Sequence, residues 1–286
     1  MDNLKMQVNN TKLTPLTLEE LKEPLTPVER QEMENPFFIR QVHLFIEGLN
    51  SIQDLSTSQR YAMVEALRDH AKRRMEVNQA ILENPAIANT EINPVVIFGL
   101  PRSGTTMLQR LLSCDPRFVS PMAFEMLQPC PPGRPENYKE TERYRKAQEY
   151  WSHTYPGGVD HVKHMHEMNL DLPEECVLIL QHAMMENGWS FCESLKKARD
   201  FMWHLPQDIE TEVYEYYKKA LKCIFYNGLS AGQVPLLKGV WHALYFDTYK
   251  KVFPNAKIIF PFRNVKEMYA STCSILIQAS GKNDRA

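Results

Sequence analysis

The sequence predicts an α/β fold: a P-loop-type parallel sheet flanked by helices, with an N-terminal helical extension. Three observations lead there. Three short apolar runs, Val95-Val96-Ile97-Phe98, Val234-Pro235-Leu236-Leu237-Lys238 and Ala256 to Phe262, are each followed by a helix-like segment, the alternation that builds a parallel sheet with helices on both faces. The first run leads into Gly99-Leu100-Pro101-Arg102-Ser103-Gly104, which has the two-glycine spacing of a phosphate-binding loop. Between Pro36 and Pro85 the apolar periodicity is helical instead. The expected division is residues 1–90 as the helical extension and 91–286 as the α/β domain.

Residues 1 to about 30 are polar, carry Pro15, Pro24 and Pro27, and read as an extended arm with a short helix around Leu18 to Lys22. From Pro36 to Leu49, Phe37, Phe38, Val42, Phe45 and Ile46 recur at helical spacing. Ser56-x-x-Gln59 reads as a capping box that opens a long helix ending near Asn84-Pro85. Met63, Val64, Leu67, Met75, Ile81 and Leu82 form its expected apolar side, with Lys72 to Arg74 on the wet side.

Val95 to Phe98 is all apolar and partly β-branched, as a strand buried on both faces requires. Thr105 to Ser113 reads as a helix with Met107, Leu108, Leu111 and Leu112 on one face. Pro121 to Tyr155 reads as surface loop and short helix. Pro173-Glu174-Glu175 suits the first turn of a helix running to about Met185, and Ile209 to Tyr226 is a further helix. His242 to Val252 and Val265 to about Ile277 follow the second and third strands. There is no internal repeat and no low-complexity tract. In such a sheet the functional groups gather at the carboxyl ends of the strands, here Gly99 to Gly104, Lys238 and Arg263.

Composition narrows the partners. Hydrophobic residues make up 43% and charged residues 24% of 286, a soluble globular balance. A formal net charge of -2 gives no global field for nucleic acid or an anionic membrane. Anion binding must therefore come from local groups. Met1 to Gln7 lacks the apolar stretch of a signal peptide, and no run approaches the roughly 18 apolar residues of a membrane span; a cytoplasmic location is expected. The six cysteines are scattered without a Cys-x-x-Cys pair and read as reduced thiols. His161-x-x-His164-x-His166, beside Asp160 and Glu167, does not place three ligands on one helical face. It reads as a solvated or acceptor-pocket cluster, and no metal is expected. An oligomer is possible.

The loop itself separates phosphate chemistries. Its glycines permit a tight turn, and the backbone N–H groups and helix start that follow form an anion cradle. An ATPase or GTPase loop continues Gly-Lys-Ser/Thr, whereas the lysine position here is Thr105. The later strands end in Lys238 and Arg263 rather than in an acid that could hold Mg²⁺. Both features disfavour ATP hydrolysis.

Pro101-Arg102-Ser103-Gly104-Thr105-Thr106 resembles the 5′-phosphosulfate loop of sulfotransferases that use 3′-phosphoadenosine-5′-phosphosulfate (PAPS), in the arginine form of tyrosylprotein sulfotransferases and many soluble, bacterial-type members. Arg263, with Ser271 eight residues later, is similar to the family's 3′-phosphate motif, and Phe253-Pro254-Asn255-Ala256-Lys257-Ile258-Ile259 before it also matches. The resemblance covers roughly Pro94 to Gln278. It implies that Arg102, Ser103, Gly104, Thr105 and Thr106 hold the 5′-phosphosulfate of PAPS, and that Arg263 and Ser271 hold the 3′-phosphate. It also implies that Lys238 neutralises charge on the bridging oxygen, with no metal required. The acceptor is then a hydroxyl of a small or lipid-like molecule.

Three groups compete as the general base. Glu125 resembles in position the catalytic glutamate of tyrosylprotein sulfotransferases. His242 follows Lys238 as a histidine does in cytosolic members, and Glu175 is the third choice. Two alternatives stand beside this reading. Fifteen residues follow Ser271, where family members usually continue into a basic, glycine-containing loop that closes over the nucleotide; a shortened, catalytically silent nucleotide-binding or scaffold protein is one alternative. A P-loop kinase is the other, weaker for want of the loop lysine. No motif between Pro121 and Trp203 identifies the acceptor.

Overall fold

A computed structural model of the chain describes residues 14–52, 56–154, 167–185 and 196–279. Four helices come first: α1 (Leu18–Lys22), α2 (Pro27–Met33), α3 (Pro36–Asn50) and α4 (Thr57–Glu83). After them run β1 (Val95–Ile97), α5 (Thr105–Leu112), β2 (Phe118–Val119), α6 (Ala123–Leu127), α7 (Glu142–Thr154), α8 (Val177–Leu180), α9 (Lys196–Trp203), α10 (Gln207–Phe225), β3 (Val234–Lys238), α11 (Phe246–Val252), β4 (Lys257–Ile259) and α12 (Val265–Ala279).

The four strands are all parallel, in the order β2-β3-β1-β4. Side chains alternate across a strand, and the sequence feeds both faces. Val95, Ile97 and Leu236 pack with Leu108 and Leu112 of α5 on one face. Val96, Phe98 and Leu237 join the larger core on the other. This alternation decides where the strand ends point. Lys238 pairs with Ile97, so it lies on the same face as Leu236, towards α5.

The larger core is continuous with the N-terminal helices: Leu21, Met33, Phe38, Phe45, Leu67 and Val77 share it with Phe124, Ile179, Tyr214 and Leu221. Helix α10 supplies its spine, burying Ile209, Val213, Tyr217, Ala220 and Ile224 at helical spacing. Two reciprocal hydrogen bonds pin the chain before α1: Leu16 N donates to Asn50 Oδ1 (2.7 Å), and Asn50 Nδ2 donates back to Leu16 O (2.9 Å).

Several elements differ from the sequence reading. The supposed arm contains α2, opened by a Thr26–Glu29 capping box with Pro27 in its first turn. Arg73 and Arg74 of α4 are buried, not on a wet face. The Arg74 guanidinium donates to Glu32 (2.7 Å) and lies over Tyr216, and that of Arg73 lies over Tyr150. A charged head can be buried where a carboxylate and aromatic faces replace water. Pro173-Glu174-Glu175 does not open a helix. The chain there is irregular, because Met122 bridges Pro173 and Cys176 N donates to the carbonyl of Lys238 (2.8 Å); α8 starts only at Val177. The stretch read as surface loop and short helix holds two helices, the buried α6 and the thirteen-residue α7.

Candidate active site

Strand β1 delivers the loop. Phe98 N donates to Ile259 O (2.9 Å) and Gly239 N to Ile97 O (3.1 Å), so the loop leaves the sheet between the ends of β4 and β3. Gly99 has no room for a side chain: a Cβ there would meet Ser103 Oγ and Thr105 Cγ2 at 2.8 Å. The turn is closed by Leu100 O, which accepts from Ser103 N (3.2 Å) and from Ser103 Oγ (2.8 Å). Arg102 (φ 68°) and Gly104 (φ 92°) both adopt left-handed backbone, the conformation that turns successive N–H groups to one side. Gly104 is the N-cap of α5 and supplies no capping oxygen. The first N–H groups of α5 thus have no side-chain acceptor from their cap, and the positive end of the helix faces the loop.

Lys238 is fully buried at the end of β3. Its ammonium donates to Thr106 Oγ1 in the first turn of α5 (2.9 Å) and lies 3.3 Å from the Glu175 carboxylate. Strand, loop helix and the irregular Glu174–Cys176 segment therefore meet at one nitrogen. Of the three acids and bases proposed from sequence, Glu175 is the one held at this point.

On the other side of the loop, Arg102 Nε donates to Ser271 Oγ of α12 (2.9 Å). Arg263 follows β4 and is half-exposed; its Nη1 donates to the Arg102 carbonyl (3.3 Å) and its Nε to Glu267 (3.0 Å). Four of the residues taken from the two motifs, Arg102, Thr106, Arg263 and Ser271, are thus linked around one loop with Lys238.

Glu125 and His242 are placed otherwise. Glu125 is 1% exposed, and both its oxygens are engaged: Oε1 accepts from Arg134 Nε (2.7 Å), while Oε2 accepts from Arg134 Nη2 and from Met122 N (2.8 Å). That is a cap and an ion pair holding α6 to the following proline-rich turn. His242 has no exposed surface. Its Nδ1 meets Tyr214 Oη at 3.0 Å, and the ring packs among Phe98, Tyr217 and Tyr249. Desolvation pushes its pKa down to about 3, so it is a neutral core histidine. Neither side chain is among those that meet at the Lys238 ammonium.

Arg134, which occupies Glu125, carried no sequence signal; it lies nine positions on, in a turn that only the fold brings back. His161, His164 and His166 lie outside the described residues. Among the described residues no group of three or more metal-ligating side chains occurs, and no helix is long and apolar enough to cross a membrane. Cys114, Cys130, Cys176, Cys223 and Cys273 are free thiols, and Cys192 lies outside the described residues.

The sequence profile of the sulfotransferase family matches residues 94–285, the whole of the sheet and loop just described. The chain belongs to the sulfotransferase family. Two solved sulfotransferases share its fold. STF1 from Mycobacterium tuberculosis H37Rv superposes with a TM-score of 0.71 at 20% identity, over 92% of this chain and 72% of that one. STF9 from Mycobacterium avium gives a TM-score of 0.72 at 19% identity, over 92% and 67%. No curated protein matches the sequence significantly. The family's general chemistry is sulfuryl transfer, and the parallel sheet with flanking helices is its α/β fold.

Proposed function

We propose that this chain is a PAPS-dependent sulfotransferase acting on a hydroxyl of a small or lipid-like acceptor, with Glu175 as its general base. The observation that carries the reading is the convergence on Lys238 Nζ, 2.9 Å from Thr106 and 3.3 Å from Glu175.

The residues present fit such a donor. The Gly99 turn, with left-handed Arg102 and Gly104, leaves a helix start without a side-chain cap, a setting that favours an anion. Arg102, Thr105 and Thr106 would hold the 5′ end, with Ser103 bracing the turn and Gly104 opening the helix. Arg263 and Ser271 would hold the 3′-phosphate, a planar fork beside a hydroxyl. When bound, the donor supplies a sulfuryl group on a phosphate leaving group.

The chain's own residues do the rest, mostly by positioning and electrostatics. Lys238, buried and fixed by Thr106, neutralises negative charge beside the loop. Glu175, still partly open to solvent, takes the proton from the acceptor hydroxyl; its position beside Lys238 supports that role over Glu125 and His242. Cytoplasmic location and the small or lipid-like acceptor belong to this proposal.

A thermal-shift comparison tests the donor class. Adenosine 3′,5′-bisphosphate, which would bind only the folded state, is expected to raise the melting temperature where ATP with Mg²⁺ does not. Stabilisation by ATP and Mg²⁺ alone would favour the kinase reading instead.

A further inference from the structure

Glu175 sits in irregular chain, yet a base must be held to within a fraction of an ångström to act. Two contacts hold its neighbour. Cys176 N donates to the carbonyl of Lys238 (2.8 Å), which fastens the segment to the end of β3. Cys176 Sγ accepts from the hydroxyl of Tyr217 on α10 (2.9 Å). Tyr217 and Cys176 have no exposed surface, and burial pushes the thiol up to about 11, so it stays protonated and neutral. Sulfur is a weak acceptor, but a buried hydroxyl cannot turn to water instead, so the bond fixes one registry of α10 against the Glu175 segment. The Tyr217 ring is itself held edge-on by Tyr214 and Phe253, at centroid distances of 6.1 and 5.8 Å.

We propose that Tyr217, acting through the Cys176 thiol, is a positioning residue that sets the Glu175 carboxylate against Lys238. The inference rests on the reading of Glu175 as the base. It makes the sulfuryl-transfer site dependent on a helix of the large core that supplies no group to the loop. Tyr217→Phe is the sharp variant, because it removes the hydroxyl and keeps the ring packing. Cys176→Ala removes the acceptor from the other side, and Cys176→Ser restores one.

Two readouts decide it. In hydrogen exchange on the free protein, Tyr217→Phe is expected to speed exchange of the Cys176 amide about tenfold while β1 amides stay unchanged. In turnover, measured as release of adenosine 3′,5′-bisphosphate from PAPS in water and with 1-octanol as acceptor probe, Tyr217→Phe and Cys176→Ala are expected to lower kcat about tenfold. Affinity for the bisphosphate should stay within about twofold, and Cys176→Ser should recover most of kcat. In a Glu175→Gln background Tyr217→Phe should cost nothing further, as coupled residues behave; a merely structural loss would add. Unchanged exchange at Cys176, or an undiminished kcat loss in the Glu175→Gln background, would overturn the positioning role. Full turnover by Glu175→Gln alone would instead remove the base reading beneath it.

Discussion

A lysine with no exposed surface costs several kcal/mol unless its charge is met, and Lys238 meets that requirement with Thr106 and Glu175 at the loop. The arrangement assigns distinct outcomes to single residues. Glu175→Gln keeps the shape but removes both the proposed proton acceptor and the counter-charge of Lys238, so unfolding free energy should fall and kcat should fall roughly 10²- to 10⁴-fold; denaturant titration beside steady-state kinetics would show this. Arg263→Ala should leave the fold intact, since its side chain is half-exposed. It should weaken bisphosphate binding by about 10- to 100-fold, the worth of a charged hydrogen-bond pair. Glu125→Gln belongs to another class of effect. Its carboxylate is occupied by Arg134 and Met122 N, so the variant should register in stability before it registers in catalysis.

Elements are where sequence legibility varied most. The loop was readable because its constraints are local: a glycine where no Cβ fits, a glycine at positive φ, and threonines opening a helix. Gly104→Ala should cost about 1–2 kcal/mol from left-handed backbone alone and weaken bisphosphate binding, measurable by denaturant titration and calorimetry. The strands were readable for the same reason, being short, apolar and bounded. The base was not. Glu125 stood at a plausible distance along the chain and His242 close after Lys238, but only the fold says that Arg134 returns to the first and that Tyr214, Tyr217 and Tyr249 enclose the second. Glu175 looked like a helix start because Pro173 precedes it, and a hydrogen bond to Lys238 O, distant in sequence, overrode that local preference. Truncating Arg134 to Ala would leave a buried carboxylate without its cation. A loss of about 3 kcal/mol in unfolding free energy is expected, with bisphosphate affinity unchanged.

Over the whole molecule, the helical extension and the sheet share one core. The buried Arg73 and Arg74 lie in that shared region, with His70 and His182 near them. Patterning assigned the basic residues to solvent because their aromatic and acidic partners, Tyr150, Tyr216 and Glu32, come from other parts of the chain. Desolvation, helped by Arg73 and Arg74, pushes His70 down to about 3 and His182 well below its usual value, and His242 is buried neutral as well. The unfolded chain takes up these protons near pH 6.5, the folded chain only far lower. The stability associated with the neutral rings is therefore complete above about pH 6.5 and is lost as pH falls, by up to about 1.4 kcal/mol per pH unit for each ring. Melting temperatures measured from pH 7.5 down to 5 should drop progressively below about pH 6. A flat profile would contradict the burial of these histidines.

The loop and the ends of β3 and β4 are proposed to form one site for a 3′-phosphorylated donor. Calorimetric titration of adenosine 3′,5′-bisphosphate against adenosine 5′-monophosphate tests it most directly, because the two differ only in the phosphate assigned to Arg263 and Ser271. The bisphosphate is expected to bind at least about tenfold more tightly, and Arg263→Ala to erase the difference. Equal affinity for both nucleotides, or a preference that survives Arg263→Ala, would contradict the account.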